Sequence, residues 1–241
     1  WSSCSPDFGT QGILDRFAQI DPKIIFIANG YYYNGNYFST TDKMSNILNS
    51  LPSVEKTIIV DYPKTKNKTK INNSIPYRKF LSTNPKSLQF EQLPFDHPLY
   101  IMYSSGTTGL PKSIVHSSGG TLIQHLKELF LHCDLKRDDS IFYFTTCGWM
   151  MWNWLISSLS LGSKIVLFDG APFYPNGKKL WGLAEELDIT VFGTSASYIN
   201  SCKNLDIIPK NFANLSKLRM ILSTGSPLSE ENFDYVYEKI K

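Results

Sequence analysis

The sequence contains few cysteines, and they do not occur at the spacings of known metal or redox sites. Zinc sites and dithiol redox sites commonly use a CxxC pair, which is absent here. A chain of 241 residues can bury a sizeable core without disulfides. We therefore expect reduced thiols in a cytosolic protein, although counting alone leaves two disulfides open. The four cysteines are Cys4, Cys133, Cys147 and Cys202.

The sequence also lacks a strong excess of one charge and a long apolar run. Its 24 Lys and Arg against 21 Asp and Glu give a formal net charge of +3, too small to indicate a nucleic-acid partner. Residues 140–163 carry no formal charge, but Ser, Thr and Asn occur throughout them. A membrane-spanning helix needs a nearly unbroken apolar run. We therefore predict a strand, a turn and a buried helix there, and no membrane span.

Short apolar runs alternate with amphipathic helical patterns along the chain. Continuous apolar strands are typical of sheets that are buried on both faces, so the alternation predicts an α/β fold of layered, largely parallel sheets with flanking helices. The predicted strands are residues 24–28, 57–61, 99–103, 164–168 and 218–222. Apolar stripes that begin after Thr41 and at Leu180 predict two of the helices. The lysine-rich segment 63–70 is predicted to be an exposed loop.

A segment rich in Pro, Ser and Asn, residues 82–98, predicts a boundary between two lobes. We assign residues 1–95 to the end of a first α/β lobe and residues 96–241 to a second, incomplete α/β lobe. The chain begins at Trp1 without an initiator Met, and its last helical stretch has no closing signal. We therefore expect it to be a piece of a longer polypeptide.

A loop dense in hydrogen-bond donors follows the third apolar run and extends from Ser104 to Lys112. Gly106 and Gly109 allow the backbone to approach a ligand closely, and four hydroxyls and a lysine offer donors to phosphate oxygens. Because Pro111 precedes the lysine, the segment is not a Walker A loop, which requires Gly at that position. An ordinary Ser/Gly turn between two strands is the alternative.

The ten residues from Tyr103 to Lys112, YSSGTTGLPK, resemble the phosphate-binding loop of the AMP-forming adenylating superfamily, in particular its acyl-coenzyme A synthetases. Shorter motifs downstream are similar to motifs of the same family, in order and at compatible spacing. They are HSSGG at 116–120, GW at 148–149, FDGAP at 168–172 and GSP at 225–227. The resemblance implies that the chain is part of the large α/β domain of such a synthetase.

The resemblance also implies a reaction in two halves. A small-molecule carboxylate attacks the α-phosphate of ATP to give an acyl-adenylate and pyrophosphate, and the thiol of coenzyme A then displaces AMP. ATP, Mg²⁺ and coenzyme A are the implied cofactors. The segments WSSCSPDFG at 1–9 and GWMMWNW at 148–154 are most similar to the branch that activates acetoacetate. Branches that activate acetate or propionate are the nearest alternative.

The resemblance assigns residues to the phosphates, the adenine and the acyl pocket, and two of the phosphate residues would be catalytic. Thr107 and Lys112 would be catalytic. The phosphates would also be held by Ser104, Ser105, Gly106, Thr108 and Gly109. The adenine would be lined by Gly225, Ser226 and Pro227. The acyl pocket would be bordered by Trp149, Met150, Met151 and Thr224, for which ordinary core packing is the alternative. No residue is assigned as a metal ligand.

The chain departs from the family pattern at three positions. Ser226 replaces the Glu of a GEP motif, Ser113 replaces a Gly after the loop lysine, and Phe173 follows FDGAP where acetate-activating members have a polar residue. These departures favour an acyl group other than acetyl. Two other functional classes stay open at this point: a nucleotide-binding module without catalysis, and a purely structural α/β domain.

We predict that the 241-residue chain alone makes no acyl-coenzyme A. The family's Mg²⁺-binding Glu, ribose-binding Asp and C-terminal lysine have no counterpart in it. Loss of one positioned charge at such a site commonly costs roughly 10²-fold or more in rate. The measurement is the release of AMP and pyrophosphate from ATP, Mg²⁺, acetoacetate and coenzyme A. Turnover near an ordinary enzyme's rate of about 10 per second would contradict this prediction.

Overall fold

Four of the five predicted apolar runs form parallel strands in the computed structural model, and the run 99–103 pairs antiparallel. The structure describes residues 1–62, 71–104 and 109–241. The predicted exposed loop at 63–70 and four residues of the predicted phosphate loop, Ser105, Gly106, Thr107 and Thr108, lie outside the described residues. The chain divides into two compact units, residues 1–120 and 121–241. The lobe boundary predicted between residues 95 and 96 stays a prediction.

In the first unit, a parallel sheet pairs β1 (Ile24–Ala28) with β4 (Lys56–Val60) and β4 with β5 (Ser74–Pro76). The helices α1 (Thr10–Phe17) and α2 (Thr41–Asn49) precede β1 and β4, and a short helix α3 (Tyr77–Phe80) follows β5. Every second side chain of β1 points to one face of the sheet, and the apolar residues of α1 and α2 lie on one face of each helix. These faces form one core. Its buried members include Ile13, Ile25, Ile27, Met44 and Ile47.

Two antiparallel hairpins complete the first unit. The first joins β2 (Gly30–Tyr33) to β3 (Asn36–Ser39) through Asn34 and Gly35, whose φ angles of 51° and 77° are those of a two-residue hairpin turn. The second joins β6 (Pro98–Ser104) to β7 (Lys112–Ser117), with Ser104 opposite Lys112. The predicted phosphate loop is therefore the connection of the second hairpin.

The second unit is built on a parallel sheet of four strands in the order β11-β10-β8-β9. These strands are β8 (Ser140–Tyr143), β9 (Lys164–Val166), β10 (Val191–Ser195) and β11 (Met220–Thr224). Successive side chains of β8 enter different cores, since Ile141 and Tyr143 belong to one buried cluster and Phe142 to another. The sheet is thus covered on both faces, as the continuous apolar runs indicate.

Helices and short helical turns cover the two faces. The α-helices are α4 (Ser118–Leu126), α5 (Met150–Ser157), α6 (Lys179–Glu186), α7 (Ala196–Asn204) and α8 (Glu230–Tyr235). A π-helical turn, Lys127–His132, extends α4, and a 3₁₀ turn, Ser158–Leu161, extends α5. A further 3₁₀ turn spans Pro209–Asn211, and a π-helical turn spans Val236–Ile240. No helix among the described residues is long and apolar enough to cross a membrane.

The largest core of the second unit lies under α6 and α7. Trp181 of α6 stacks on Phe192 of β10, with ring centroids 4.6 Å apart and an interplanar angle of 17°. Both rings are fully buried, so they remove a large apolar area from water. The predicted stripe of α6 is confirmed, since Leu180 and Ala184 are buried in this core.

The last helix carries an apolar stripe, since Phe233, Val236, Tyr237 and Ile240 recur at i, i+3, i+4 and i+7. Such a stripe predicts that the helix packs on another part of the protein. Ile240 is buried and Val236 packs against the core, whereas Phe233 and Tyr237 are 48% and 72% exposed. The stripe is thus packed at Val236 and Ile240 and open to solvent at Phe233 and Tyr237.

Three polar residues that directly precede strands β8, β10 and β11 bind one another at the amino edge of this sheet. Arg219 donates to both carboxylate oxygens of Asp139, at 2.7 and 3.1 Å, and Thr190 Oγ1 donates to Asp139 Oδ1 at 2.6 Å. Burial alone would raise the pKa of Asp139, but hydrogen bonds from Arg219, Thr190 and the Lys136 N–H outweigh it and lower the pKa. The cluster therefore ties the starts of three strands together.

We predict that Asp139→Asn lowers the free energy of unfolding at pH 7 by about 1.5–3 kcal/mol, because it removes a charge-assisted pair of hydrogen bonds. The measurement is urea unfolding of the chain. Since the pKa of Asp139 is lowered in the folded state, its stabilisation is complete above the unfolded pKa of about 3.9 and is lost as the pH falls through the folded pKa. The difference between variant and parent should therefore shrink in acid.

Asp134→Asn is the matched control, because its exposed carboxylate pairs with the exposed Lys136, at 2.9 Å, and its side chain takes no part in the hydrogen bonds that join Asp139, Thr190 and Arg219. Such a surface pair contributes about 0–1 kcal/mol. A control variant that loses as much stability as Asp139→Asn would contradict the role given to the buried cluster.

Candidate functional site

In the second unit, three parallel strands end at the same edge of the sheet. Ser195 at the end of β10 lies opposite Thr224 at the end of β11, and Gly193 of β10 lies opposite Tyr143 of β8. The chain moves from β8 to β9 on one side and returns to β10 on the other side of β8. A crevice at such a reversal of strand order is where open α/β sheets bind ligands. The carboxyl edge of β8, β10 and β11 is therefore the candidate site of this unit.

The residues that follow β11 are open to solvent at this edge. Thr224, Gly225, Ser226 and Pro227, which the sequence assigns to the acyl pocket and the adenine, are all exposed. Gly225 has a φ of 91°, a conformation that strains any residue with a Cβ atom. The chain thus turns sharply after β11 and presents backbone and hydroxyl groups at the edge.

The residues that follow β8 form the start of α5. Trp149 is the N-cap residue and is 58% exposed, and Met150 is 40% exposed. Met151 is half-buried and packs against the core cluster that contains Trp154 and Leu155. Trp149 and Met150 are therefore available to a ligand at the edge, whereas Met151 has the core contact that we weighed as the alternative.

A contact between Tyr143 and Gly193 holds this edge of the sheet in place, and no pattern in the sequence indicates it. A Cβ atom on Gly193 would lie 2.0 Å from the ring of Tyr143, so only glycine allows the ring to lie over β10. The Tyr143 hydroxyl donates to the carbonyl of Thr194 at 3.1 Å, and burial raises its pKa to about 12, so it stays a donor at neutral pH. Its ring also meets Trp154 of α5 edge to face, with centroids 6.0 Å apart.

Two further residues at the end of β10 carry polar groups that sequence analysis missed. Ser195 is the N-cap of α7 and accepts a hydrogen bond from the N–H of Tyr198 at 3.1 Å. The hydroxyl oxygen of Thr194 is fully buried and has no hydrogen-bond partner among the described residues. The short segment VFGTS at 191–195 has no clear period, so only the assembled sheet identifies these positions.

Phe173, which the sequence suggested as a sign of a different acyl group, lies in the core. Its ring packs on Tyr198 of α7, with centroids 5.1 Å apart and an interplanar angle of 33°. This contact stabilises the core beneath α7. Packing therefore explains why position 173 is aromatic, and no contact with a ligand is needed.

In the first unit, the predicted phosphate loop connects β6 to β7. Ser104 ends β6 and is half-buried, and Lys112 begins β7 and is exposed. Gly109 has a φ of 99°, which requires glycine. The remaining loop residues that we assigned to phosphate, including Thr107, lie outside the described residues. The structure therefore places the two ends of the loop directly opposite each other.

The hairpin that carries the loop is held to the start of the chain. The N–H of Ile101 donates to the carbonyl of Trp1 at 2.8 Å, and the hydroxyl of Ser2 donates to the carbonyl of Ile101 at 3.0 Å. His116 of β7 packs its ring on Tyr100, with centroids 5.0 Å apart. These contacts give His116 a packing role and hold β6 along its length.

No group of three or more His, Cys, Asp or Glu residues in the described part of the chain could hold a metal ion. Mg²⁺ in nucleotide sites is commonly held by one or two carboxylates together with the phosphates of the substrate. The described residues alone therefore do not form a protein cage for Mg²⁺.

Comparisons with known proteins match the chain along its whole length. The family model described as "AMP-binding enzyme" matches residues 2–240. An acetoacetyl-CoA synthetase of Danio rerio is 49% identical over 100% of this chain and 37% of its own length, and one of Rhizobium meliloti has the same identity and coverage. A malonamoyl-CoA synthetase of Penicillium aethiopicum is 37% identical over 99% of this chain and 36% of its own length.

A solved structure has the same fold as this chain. The acetoacetyl-CoA synthetase from Streptomyces lividans superimposes with a TM-score of 0.91 at 40% sequence identity, and the match covers 100% of this chain and 36% of that one. The chain thus spans about 37% of the length of the curated relatives.

Proposed function

The chain belongs to the family of AMP-binding enzymes, and from that premise we propose that it is part of an acid–thiol ligase that joins acetoacetate to coenzyme A at the expense of ATP. One observation carries the proposal most directly: YSSGTTGLPK connects two paired strands, with Ser104 and Lys112 opposite each other at its base. A hairpin connection of this kind offers hydroxyls, close backbone and one positive charge to a phosphate chain.

In the proposed adenylation step, a carboxylate oxygen of the substrate attacks the α-phosphorus of ATP. The bond between the α- and β-phosphates breaks, and pyrophosphate leaves. Lys112 would stabilise the negative charge that collects on the departing phosphates, since a positioned ammonium group is a strong partner for phosphate oxygens. When bound with the phosphates, Mg²⁺ would supply further positive charge to neutralise them.

In the proposed second step, the sulfur of coenzyme A attacks the acyl carbon of the adenylate and AMP leaves. The residues after β11 would meanwhile hold the nucleotide. Gly225 allows a close approach of backbone to a flat base, and Ser226 offers a hydroxyl at its rim. We assign no protein nucleophile, because the two substrates supply both attacking atoms.

The proposed identity of the acyl group rests on the names of the relatives and on the exposed residues that follow β8. Acetoacetate and malonamate, the acids implied by the names of the relatives, are both short carboxylates with a carbonyl group on the third carbon. Trp149 and Met150 would give such a group an apolar wall, and the Thr224 hydroxyl could donate to its carbonyl oxygen. Acetate and propionate lack that carbonyl, so they are expected to be poorer substrates.

The cellular location of the protein is also part of this proposal. None of the four cysteines forms a disulfide among the described residues. This state supports the expectation of a reducing, cytosolic environment.

We predict that Lys112→Ala in the intact polypeptide slows acetoacetate-dependent release of pyrophosphate by about 10- to 100-fold, because it removes a charge-assisted contact to phosphate. Lys23→Ala is the matched control, since Lys23 is an exposed lysine of the same unit that pairs with Glu55 at 3.2 Å. Equal rates for Lys112→Ala and the parent, at both limiting and saturating ATP, would show that the loop is an ordinary turn.

A further inference from the structure

The residues on each side of Lys112 are bound to one side chain, that of Gln19. The Gln19 Nε2 donates to the carbonyl oxygen of Pro111 at 2.8 Å, and the Gln19 Oε1 accepts from the hydroxyl of Ser113 at 3.0 Å. Pro111 and Ser113 are the immediate neighbours of Lys112 in the sequence. The two hydrogen bonds therefore hold the start of β7 from both sides of the lysine.

A third hydrogen bond also holds the side-chain amide of Gln19 in this position. Its Nε2 also donates to the carbonyl of Asp15 in α1, at 2.5 Å, so both functional atoms of the amide are engaged. The backbone N–H of Gln19 is bonded in turn to the carbonyl of Arg16 at 3.2 Å. An exposed glutamine normally samples many rotamers, and three side-chain bonds select one of them.

The end of α1 also holds the opposite strand at the same level of the hairpin. Tyr103 lies directly opposite Ser113 in the pairing of β6 with β7. The Tyr103 hydroxyl donates to the carbonyl of Arg16 at 2.9 Å, and the Arg16 guanidinium lies 5.6 Å from the centre of the Tyr103 ring. The turn at the end of α1 therefore binds both strands at the base of the loop.

These contacts also account for one departure from the family pattern. Ser113 stands where the resemblance leads one to expect Gly, and glycine has no side chain that could donate to Gln19. The Ser113 hydroxyl and the Gln19 side-chain amide thus form a hydrogen-bonded pair that glycine at position 113 could not form.

We propose that Gln19, together with Ser113, is a positioning residue that aims Lys112 at the phosphates of ATP during adenylation. The inference rests on the proposed phosphate contact of Lys112. Gln19 itself touches neither substrate nor reacting atoms in this account. It acts by limiting the motion of the backbone that carries the ammonium group, and small losses of position at a charged contact lower the rate.

The test uses the intact polypeptide and compares Gln19→Ala with Gln11→Ala. Gln11 is a matched control because it is an exposed glutamine of α1, the helix that precedes Gln19, and its amide also donates to Asp15, at 2.6 Å. Gln19→Ala should lower kcat/KM for ATP in pyrophosphate release by about 3- to 10-fold, the effect of one or two neutral hydrogen bonds. KM for the carboxylate and the Tm should stay at the parent's values, and Gln11→Ala should match the parent throughout.

Two further variants separate this inference from the proposed function. In a Lys112→Ala background, Gln19→Ala should have no additional effect on kcat/KM for ATP, because the group that it positions is gone. Ser113→Thr keeps the hydroxyl and should retain activity, whereas Ser113→Gly should lose part of it. If Lys112→Ala slows the reaction but Gln19→Ala does not, the positioning role is wrong and the function stands.

If Lys112→Ala itself has no effect, the proposed phosphate contact fails and the positioning role fails with it. Equal losses from Gln19→Ala in the parent and in the Lys112→Ala background would also overturn the inference, because the side chain would then act independently of the lysine.

Discussion

The parallel alignment of β8, β10 and β11 is the constraint on which the candidate site of the second unit depends. Because the three strands run the same way, segments that are far apart in the sequence must leave the sheet at one edge. The end of β10 and the turn at Gly225 lie side by side there for that reason, and the segment after Tyr143 leaves β8 at the same edge. The Asp139–Arg219 pair holds the starts of β8 and β11 together at the opposite edge.

A second, local constraint acts in the first unit. An antiparallel hairpin fixes the distance between its two ends, so the loop after Ser104 must return to Lys112. Gly109, with its φ of 99°, and the contacts from the end of α1 lie at the described ends of this connection. The proposed contact of Lys112 with phosphate would benefit from them, because a charged group that is already in place needs little reorganisation when charge develops.

The sequence predicted the main strands because their apolar runs are continuous. Ile24–Ala28 was predicted without error, and the strands at Lys56, Pro98, Lys164 and Met220 within about two residues, which is the usual uncertainty of strand ends. The uncharged segment 140–163 also forms the predicted strand, turn and helix. Burial on both faces explains the apolar runs of the second unit's sheet. In β1 the apolar run is continuous although Ile24 and Phe26 are 51% and 41% exposed.

The remaining features depend on contacts between distant residues. Strand β10 is short and contains a glycine, which is understood only when the ring of Tyr143 is seen above it. The last helix ends in a π-helical turn, Val236–Ile240, which the α-helical period does not predict. Gln19 stands in an ordinary polar turn, and nothing in its neighbourhood in the sequence distinguishes it from Gln11. The roles of Gly225, Ser226 and Pro227 came from family resemblance and not from a physical pattern.

We propose that the intact polypeptide forms an acyl-adenylate from ATP and a short carboxylate with a carbonyl on its third carbon. Exchange of labelled pyrophosphate into ATP, with acetoacetate, acetate or no acid present, tests this directly. We expect the exchange to require a carboxylate and to have a higher kcat/KM with acetoacetate than with acetate. Exchange that is equal for the two acids would contradict the proposed acyl group, and the absence of exchange with every short carboxylate would contradict the enzyme itself.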